Sequence, residues 1–292
     1  MAEMLGVDVG GSKILAHVGN GPPLWSRRIQ NSRSCGPALL IETLLTLVGE
    51  ATAAGHAIKA VGLGFPGLVD RDRGHVRSSV ILDGWRNVPL TALLEQRLGI
   101  PVAIDNDVNC YALAELALRA PRPSFLLVSI GTGIGGALVL DGRLHRGASG
   151  LAGEIGHMVV RTDGPVCECG RRGCLGVMAG GESIQRALGI SAEVLERRAA
   201  ADDPIVLKAV SCAAGLVGEA LASALNLLDV GLVVLSGGLA SHFIPTATRV
   251  ARAHAFSEIA TDTIFDLARA GSGGGAAGAA LLARSEWERR HG

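Results

Sequence analysis

The residue types with the most definite chemistry lie between positions 154 and 174. Cys167, Cys169 and Cys174 form a C-x-C-x4-C run in a segment rich in glycine and arginine, and His157 precedes it. Three thiolates and one imidazole satisfy a closed tetrahedral Zn²⁺ site, which is structural and orders its loop. The spacing is tighter than the C-x2-C of common fingers; a redox pair or incidental thiols are the alternatives. Cys35, Cys110 and Cys212 are scattered among apolar neighbours and read as core or neutral positions. Glu154 stands three residues before His157. On a helical turn the two share a face, so Glu154 is either a hydroxyl-binding carboxylate beside a metal-held imidazole or a solvent-facing side chain.

A second constellation is Asp105-Asn106-Asp107-Val108-Asn109, behind an apolar strand and ahead of a helix. Asp107 is the expected N-cap of that helix. The cluster also offers carboxylate acceptors and an amide with both donor and acceptor, which suits adjacent hydroxyls of a polyol. Three glycine turns accompany it. In Asp8-Val9-Gly10-Gly11-Ser12-Lys13, the paired glycines let backbone N–H groups approach anionic oxygens, Ser12 and Lys13 add donors, and Asp8 can hold Mg²⁺ directly or through water; a plain hairpin with a Gly-Gly turn is equally open. Gly131-Thr132-Gly133-Ile134-Gly135-Gly136 offers another backbone cradle and a hydroxyl, but a strand follows it, unlike the dinucleotide fingerprint. Gly237-Gly238 ends a buried strand and could wall a nucleotide base or ribose, or be a simple strand-to-helix turn.

These residues need elements to position them. Short strands are expected at 4–9, 14–18 and 24–29, the last after Gly21-Pro22-Pro23, and a helix at 37–53. A buried strand follows at 60–65, ending at Pro66-Gly67, then a helix at 90–98, a strand at 101–104 and a helix at 108–119. Strands at 125–130 and 137–140 repeat the opening pattern of strand, glycine turn, strand. A long helix is expected at 204–228, a strand at 232–236, a glycine turn at 272–275 and a closing helix at 276–289. The composition break at Ala120-Pro121-Arg122-Pro123 suits a domain boundary. This predicts two related α/β lobes: a smaller one at 1–120, on which the closing helix packs back, and a larger one at 121–275 with the cysteine loop.

Composition narrows the class. With 27 basic and 27 acidic residues and 48% hydrophobic residues, the chain is neither disordered nor a broad electrostatic binder of nucleic acid. Its 41 glycines in 292 residues have no Gly-X-Y period, so collagen is excluded and the glycine belongs to turns and close approaches. The apolar stretches are strand-length, so no membrane span is expected. The start has no basic n-region, so no signal peptide is expected and the expected location is cytoplasmic.

Taken together, Asp8–Lys13, Asp105–Asn109, Gly131–Gly136, Glu154–His157 and the cysteine loop resemble, in order and spacing, the ROK family of repressors, open reading frames and sugar kinases. The similarity runs through nearly the whole chain, including Gly64-Phe65-Pro66-Gly67 and the glycine-rich 273–278. The resemblance implies the two-lobed actin/hexokinase-like (ribonuclease H-like) fold, with ATP and sugar in the interlobe cleft. It implies transfer of the γ-phosphoryl group to a hexose hydroxyl, most often the 6-hydroxyl. The first glycine turn, at residue 10, leaves no room for a repressor's helix-turn-helix, so a kinase is expected, with a non-catalytic sugar sensor as the alternative. Carried over by position, Asp107 is the general base, and Asn106, Glu154 and His157 bind sugar hydroxyls, with Gly67 and Ser79 also at sugar-contacting positions. His157, Cys167, Cys169 and Cys174 hold structural Zn²⁺. Asp8 sits near Mg²⁺, and Gly10, Gly11, Ser12, Lys13, Thr132 and Gly133 hold phosphates. The resemblance implies a homodimer or homotetramer. The family's G-C-x-E pattern is broken at Gly173-Cys174-Leu175-Gly176. That loss of a sugar-contacting Glu removes a charge, is expected to open space, and points to glucose or a hexose altered in configuration or substituent, such as glucosamine, kanosamine or an N-acyl hexosamine.

Overall fold

The computed structural model describes residues 2–19, 22–121 and 123–292. Gly21 of the expected turn and Arg122 of the expected boundary lie outside the described residues. The chain forms two compact units. The first comprises Met1–Ala120, Arg146–Ala152 and Arg269–Gly292; the second comprises Pro121–His145 and Gly153–Ala268.

In the first unit, β1 (Glu3–Val9), β2 (Lys13–Val18), β3 (Trp25–Gln30), β4 (Ile58–Phe65) and β8 (Val102–Asn106) make one sheet in the order β3-β2-β1-β4-β8. The first three strands are antiparallel neighbours, while β1, β4 and β8 run parallel. One face is covered by α1 (Pro37–Ala53) and α2 (Leu90–Leu98). Leu40, Leu44, Leu47 and Ala51 recur at helical spacing on α1 and are buried, and Pro37 starts it where a missing N–H costs nothing. On the other face lie α3 (Asp107–Ala117) and α10 (Gly274–His291). Here the glycine excess has a packing cause. A Cβ at Gly6 would collide with Ala276 O, one at Gly62 with Ala279 O, and one at Gly278 with Cys110 O. The Gly/Ala-rich face of α10 therefore lies at backbone-contact distance from β1, β4 and α3. A separate small sheet, β5 (Leu68–Asp70), β6 (His75–Ser78) and β7 (Arg86–Val88), follows β4.

The second unit repeats the strand plan. Its sheet runs β11-β10-β9-β12-β13, formed by β9 (Phe125–Ile130), β10 (Ile134–Leu140), β11 (Arg143–His145), β12 (Leu232–Ser236) and β13 (Ile264–Leu267). Again three antiparallel strands precede two parallel pairings. The helices are α4 (Leu175–Ala179), α5 (Gly181–Leu188), α6 (Ala192–Ala200), α7 (Pro204–Leu228), α8 (Ala240–His254) and α9 (Ser257–Asp262). Among the described residues α7 is the one helix long and apolar enough to cross a membrane. Its Val206, Val210, Ala214, Val217, Leu221 and Leu225 are buried in the core of this unit, and Asp203 caps its start by accepting from the N–H groups of Ile205 and Val206, which marks a core helix.

Several expectations are corrected. The N-cap of α3 is Asn106, not Asp107: Asn106 Oδ1 accepts from the N–H groups of Val108 and Asn109, and its amide is neutral where Asp107 contributes a charge to the first turn. The glycines at 272–275 make no turn between elements but a 3₁₀ turn running into α10. Residues 146–152 and 269–275, placed by expectation in the second lobe, cluster with the first unit, held there by the Arg146–Asp105 ion pair and by Glu115.

Candidate active site and metal cluster

The carboxyl ends of the parallel strands carry several of the first unit's candidate site residues. Asp8 on β1 is in register with Gly64 on β4, and Gly64 with Asp105 on β8. The missing side chain at Gly64 matters: a Cβ there would lie 3.2 Å from Asp107 Cα, so the start of α3 rests directly on the sheet. Asp107 occupies the first turn of α3, where the helix dipole favours a carboxylate. It is half-buried, and its Oδ1 accepts from the Val108 N–H at 3.0 Å. Asp105 is 3% exposed. It is bonded by Arg146 at 2.7 Å, by the Asn106 N–H at 2.8 Å and by Asn109 Nδ2 at 2.8 Å. Asn106 has two duties already, capping α3 and donating from Nδ2 to Gly67 O at 3.3 Å. Ser79 Oγ donates to Pro66 O at 2.6 Å and accepts from the N–H groups of Ile81 and Leu82, both at 3.1 Å. Ser79 thus ties the 79–82 loop to the Pro66-Gly67 turn. Arg146 was not foreseen, since a single arginine in a glycine-rich loop carries no periodic signal.

The Asp8–Lys13 turn is closed by the Gly10 N–H donating to Lys13 O at 2.8 Å and is fixed from outside by Asn31, whose Nδ2 donates to Gly10 O at 2.6 Å and whose N–H donates to Ser12 O at 2.9 Å. Asp8 lies against Gly275 in the first turn of α10. Burial pushes its carboxyl up to about 6, partly offset by Lys13.

In the second unit, Gly131, Thr132 and Gly133 are exposed, and nothing lies within 4 Å of a Cβ built at either glycine. The turn is held from behind, where the N–H groups of Gly181 and Glu182 donate to Gly131 O and Thr132 O at 2.9 Å. Gly237, with φ +103°, packs against Ile130 O just before this turn, and Glu196 Oε1 lies over Gly238. The two glycine turns are therefore adjacent.

The cysteine loop is folded back on itself. Cys167 N–H donates to Arg171 O at 2.7 Å and Gly173 N–H to Pro165 O at 2.8 Å. The ligand atoms of His157, Cys167, Cys169 and Cys174 all lie within 4.8 Å of one another. Cys167 Sγ is 3.6 Å from His157 Nδ1, and Cys169 Sγ is 3.6 Å from Cys174 Sγ. That arrangement fits the edge lengths of a tetrahedral Cys₃His zinc site. The backbone N–H of Arg171 lowers the Cys169 thiol to about 7, favouring the ligating thiolate, while burial pushes Cys174 up to about 12. His157 Nε2 faces away from the sulfurs, 3.9 Å from Glu154 Oε2. Burial raises the Glu154 carboxyl, against the pull of His157. At Gly176 a Cβ would sit 3.3 Å from Gly156 O and in contact with Ile134, because α4 packs closely on the turn that carries His157.

Residues 4–286 match the sequence model of the ROK family. The chain belongs to the ROK family. This ROK chain is 30% identical to the glucokinase of Halalkalibacterium halodurans, over 97% of its own length and 95% of that protein's. It is 30% identical to the N-acetyl-D-glucosamine kinase of Pasteurella multocida, over 95% and 98% of the two chains. The crystal structure of a ROK family glucokinase from Streptomyces griseus in complex with glucose and AMPPNP superimposes with a TM-score of 0.86 at 28% identity, covering 97% of this chain and all of that one. The fold of the ROK chain is the actin/hexokinase-like one that its sequence implies.

Proposed function

We propose that this protein transfers the γ-phosphoryl group of ATP to the 6-hydroxyl of a hexose, either glucose or an amino or N-acyl hexosamine. It is a sugar kinase of the ROK family. The observation that carries the residue assignment is Asp107, half-buried in the first turn of α3 at the carboxyl end of three parallel strands, in a chain alike over nearly its whole length to kinases of glucose and of N-acetyl-D-glucosamine.

Phosphoryl transfer needs positioning and charge neutralisation more than covalent chemistry. Asp107 accepts the proton of the attacking hydroxyl. The Asn106 side-chain amide, the Glu154 carboxylate and His157 Nε2 hold neighbouring hydroxyls, with Gly67 and Ser79 shaping the same side. Thr132, Gly133 and the Gly10–Lys13 turn supply donors to the phosphates, and Gly237-Gly238 borders the nucleoside. Mg²⁺, when bound, would neutralise phosphate charge, and Asp8 would hold it directly or through water. His157 Nδ1 and the thiolates of Cys167, Cys169 and Cys174 would hold Zn²⁺, which fixes the imidazole and leaves Nε2 for the sugar. Gly176 in place of a carboxylate removes a charge, which favours a sugar differing from glucose at that contact.

The test is steady-state phosphorylation across glucose, glucosamine, kanosamine and N-acetylglucosamine, with wild type and Asp107→Asn. Removing a general base is worth roughly 10²–10⁴-fold. The variant should lose about that much turnover on every sugar, while sugar binding and zinc content persist. Near-wild-type turnover in Asp107→Asn overturns the base assignment. A kcat/KM for glucose far above all others overturns the altered-sugar reading.

A further inference from the structure

Away from the residues assigned above, the first unit holds a pocket of about 350 Å³ lined by Arg71, Arg73, Arg77 and Arg146, by Asp70 and Asp72, and by residues 147–150. Two of the arginines are committed: Arg77 to Asp70 at 3.0 Å and Arg146 to Asp105 at 2.7 Å. Arg71 is not. Its half-buried guanidinium makes no ion pair or hydrogen bond among the described residues. Burial and the like charge of Arg146 both disfavour its charge, and Asp105, Glu286 and Asp72 offset them from a distance. The loop beside it packs on β5, with Gly150 against Val69 O, and turns through positive φ at Gly147 (73°) and Gly150 (79°). The N–H groups of Ala148 and Ser149 donate to no protein acceptor among the described residues.

We propose that this pocket is a binding site for the phosphate monoester of a small polyol, its phosphate taken by Arg71 and Arg146 with the N–H groups of Ala148 and Ser149. A planar guanidinium fork matches phosphate oxygens bidentately, and successive free N–H groups at a turn form an anion nest. The volume suits a small organic ligand better than a bare anion. Asp72, exposed at the rim, is an acceptor for hydroxyls. The site also reaches the catalytic helix. The Arg146 that the anion would share is bonded to Asp105, and Asp105 anchors Asn106 and Asn109 around the start of α3. A dianion drawing on Arg146 loosens that anchor, so occupancy lowers kcat without competing with sugar or ATP.

The test is titration calorimetry of the whole chain with glucose 6-phosphate and with inorganic phosphate, in the presence of saturating AMPPNP and the preferred sugar to keep the active site filled. Glucose 6-phosphate should bind, and inorganic phosphate more weakly. Arg71→Gln should weaken both about tenfold or more, in keeping with a lost charge-assisted hydrogen bond, and leave turnover without added phosphate unchanged. Absence of binding at millimolar concentration, or unchanged binding in Arg71→Gln, overturns the proposal. Equal affinity for the two probes overturns the polyol assignment. The readout is binding and not turnover, so a failure here is distinct from a failure of the kinase reading.

Discussion

At Asp8 the proposed role beside Mg²⁺ opposes stability. Burial pushes its carboxyl up to about 6 from 3.8, with Lys13 recovering only part of the cost. Because the folded chain binds this proton more tightly than the unfolded one, stability falls as pH rises from about 4 through 6. Above that window the folded protein carries the charge at a cost on the order of 2–3 kcal/mol. In Mg²⁺-free buffer Asp8→Asn should therefore melt several degrees higher than wild type at pH 7.5, the advantage vanishing toward pH 4, while its kinase turnover drops. Calorimetric melting at both pH values checks this, and a lower Tm for the variant at pH 7.5 would count against it. The other site residues were legible from type and spacing to differing degrees. The metal set was, because four soft or borderline ligands in a short span admit few other purposes. The split of labour at 105–109 was not: Asp, Asn and Asp all cap helices well, and only the geometry shows Asn106 capping, Asp105 pinned by Arg146, and Asp107 on the first turn.

At the scale of elements, legibility followed apolar content. The strands β1, β4, β9 and β12 and the helices α1, α2 and α7 are long or strongly apolar, and their periods show in the sequence. The β5–β7 sheet is made of three- and four-residue strands such as Arg-Asn-Val, too short for a period-2 signal. Helix α8 contains Pro245 within its span, so local propensity argues against it there and packing on α7 must carry it. The 161–174 loop is the opposite case, an element with little apolar content whose cysteines converge with His157. Chelation, or Cys169→Ser or Cys174→Ser, should remove about one zinc per chain. Arg171 and Arg172 are exposed, so tryptic cleavage there should accelerate severalfold in the metal-free protein. Metal analysis alongside timed proteolysis decides it: variants that keep their zinc, or a loop equally resistant without it, would remove the structural role.

Across the whole chain the sequence repeat has become a repeat of strand plan, with glycine turns after the first strand of both sheets. What the repeat does not reveal is that the first unit is assembled from three separated segments. Its return segment has to be captured, and Glu115 does this. The carboxylate is 0% exposed, bonded to Arg119 at 2.6 Å, and it accepts from the N–H groups of Arg269 at 2.8 Å and Ala270 at 3.0 Å. Those two amides stand where the chain re-enters the unit just ahead of α10. Deleting one partner of a buried ion pair costs about 3–5 kcal/mol, and here two backbone donors are orphaned as well. Glu115→Ala should lower Tm by ten degrees or thereabouts and raise hydrogen exchange in α10 ahead of α1. Glu115→Gln retains an acceptor for the amides and should lose less. Equal losses in the two variants would mean that the charge pairing with Arg119 matters and the capture of the return segment does not.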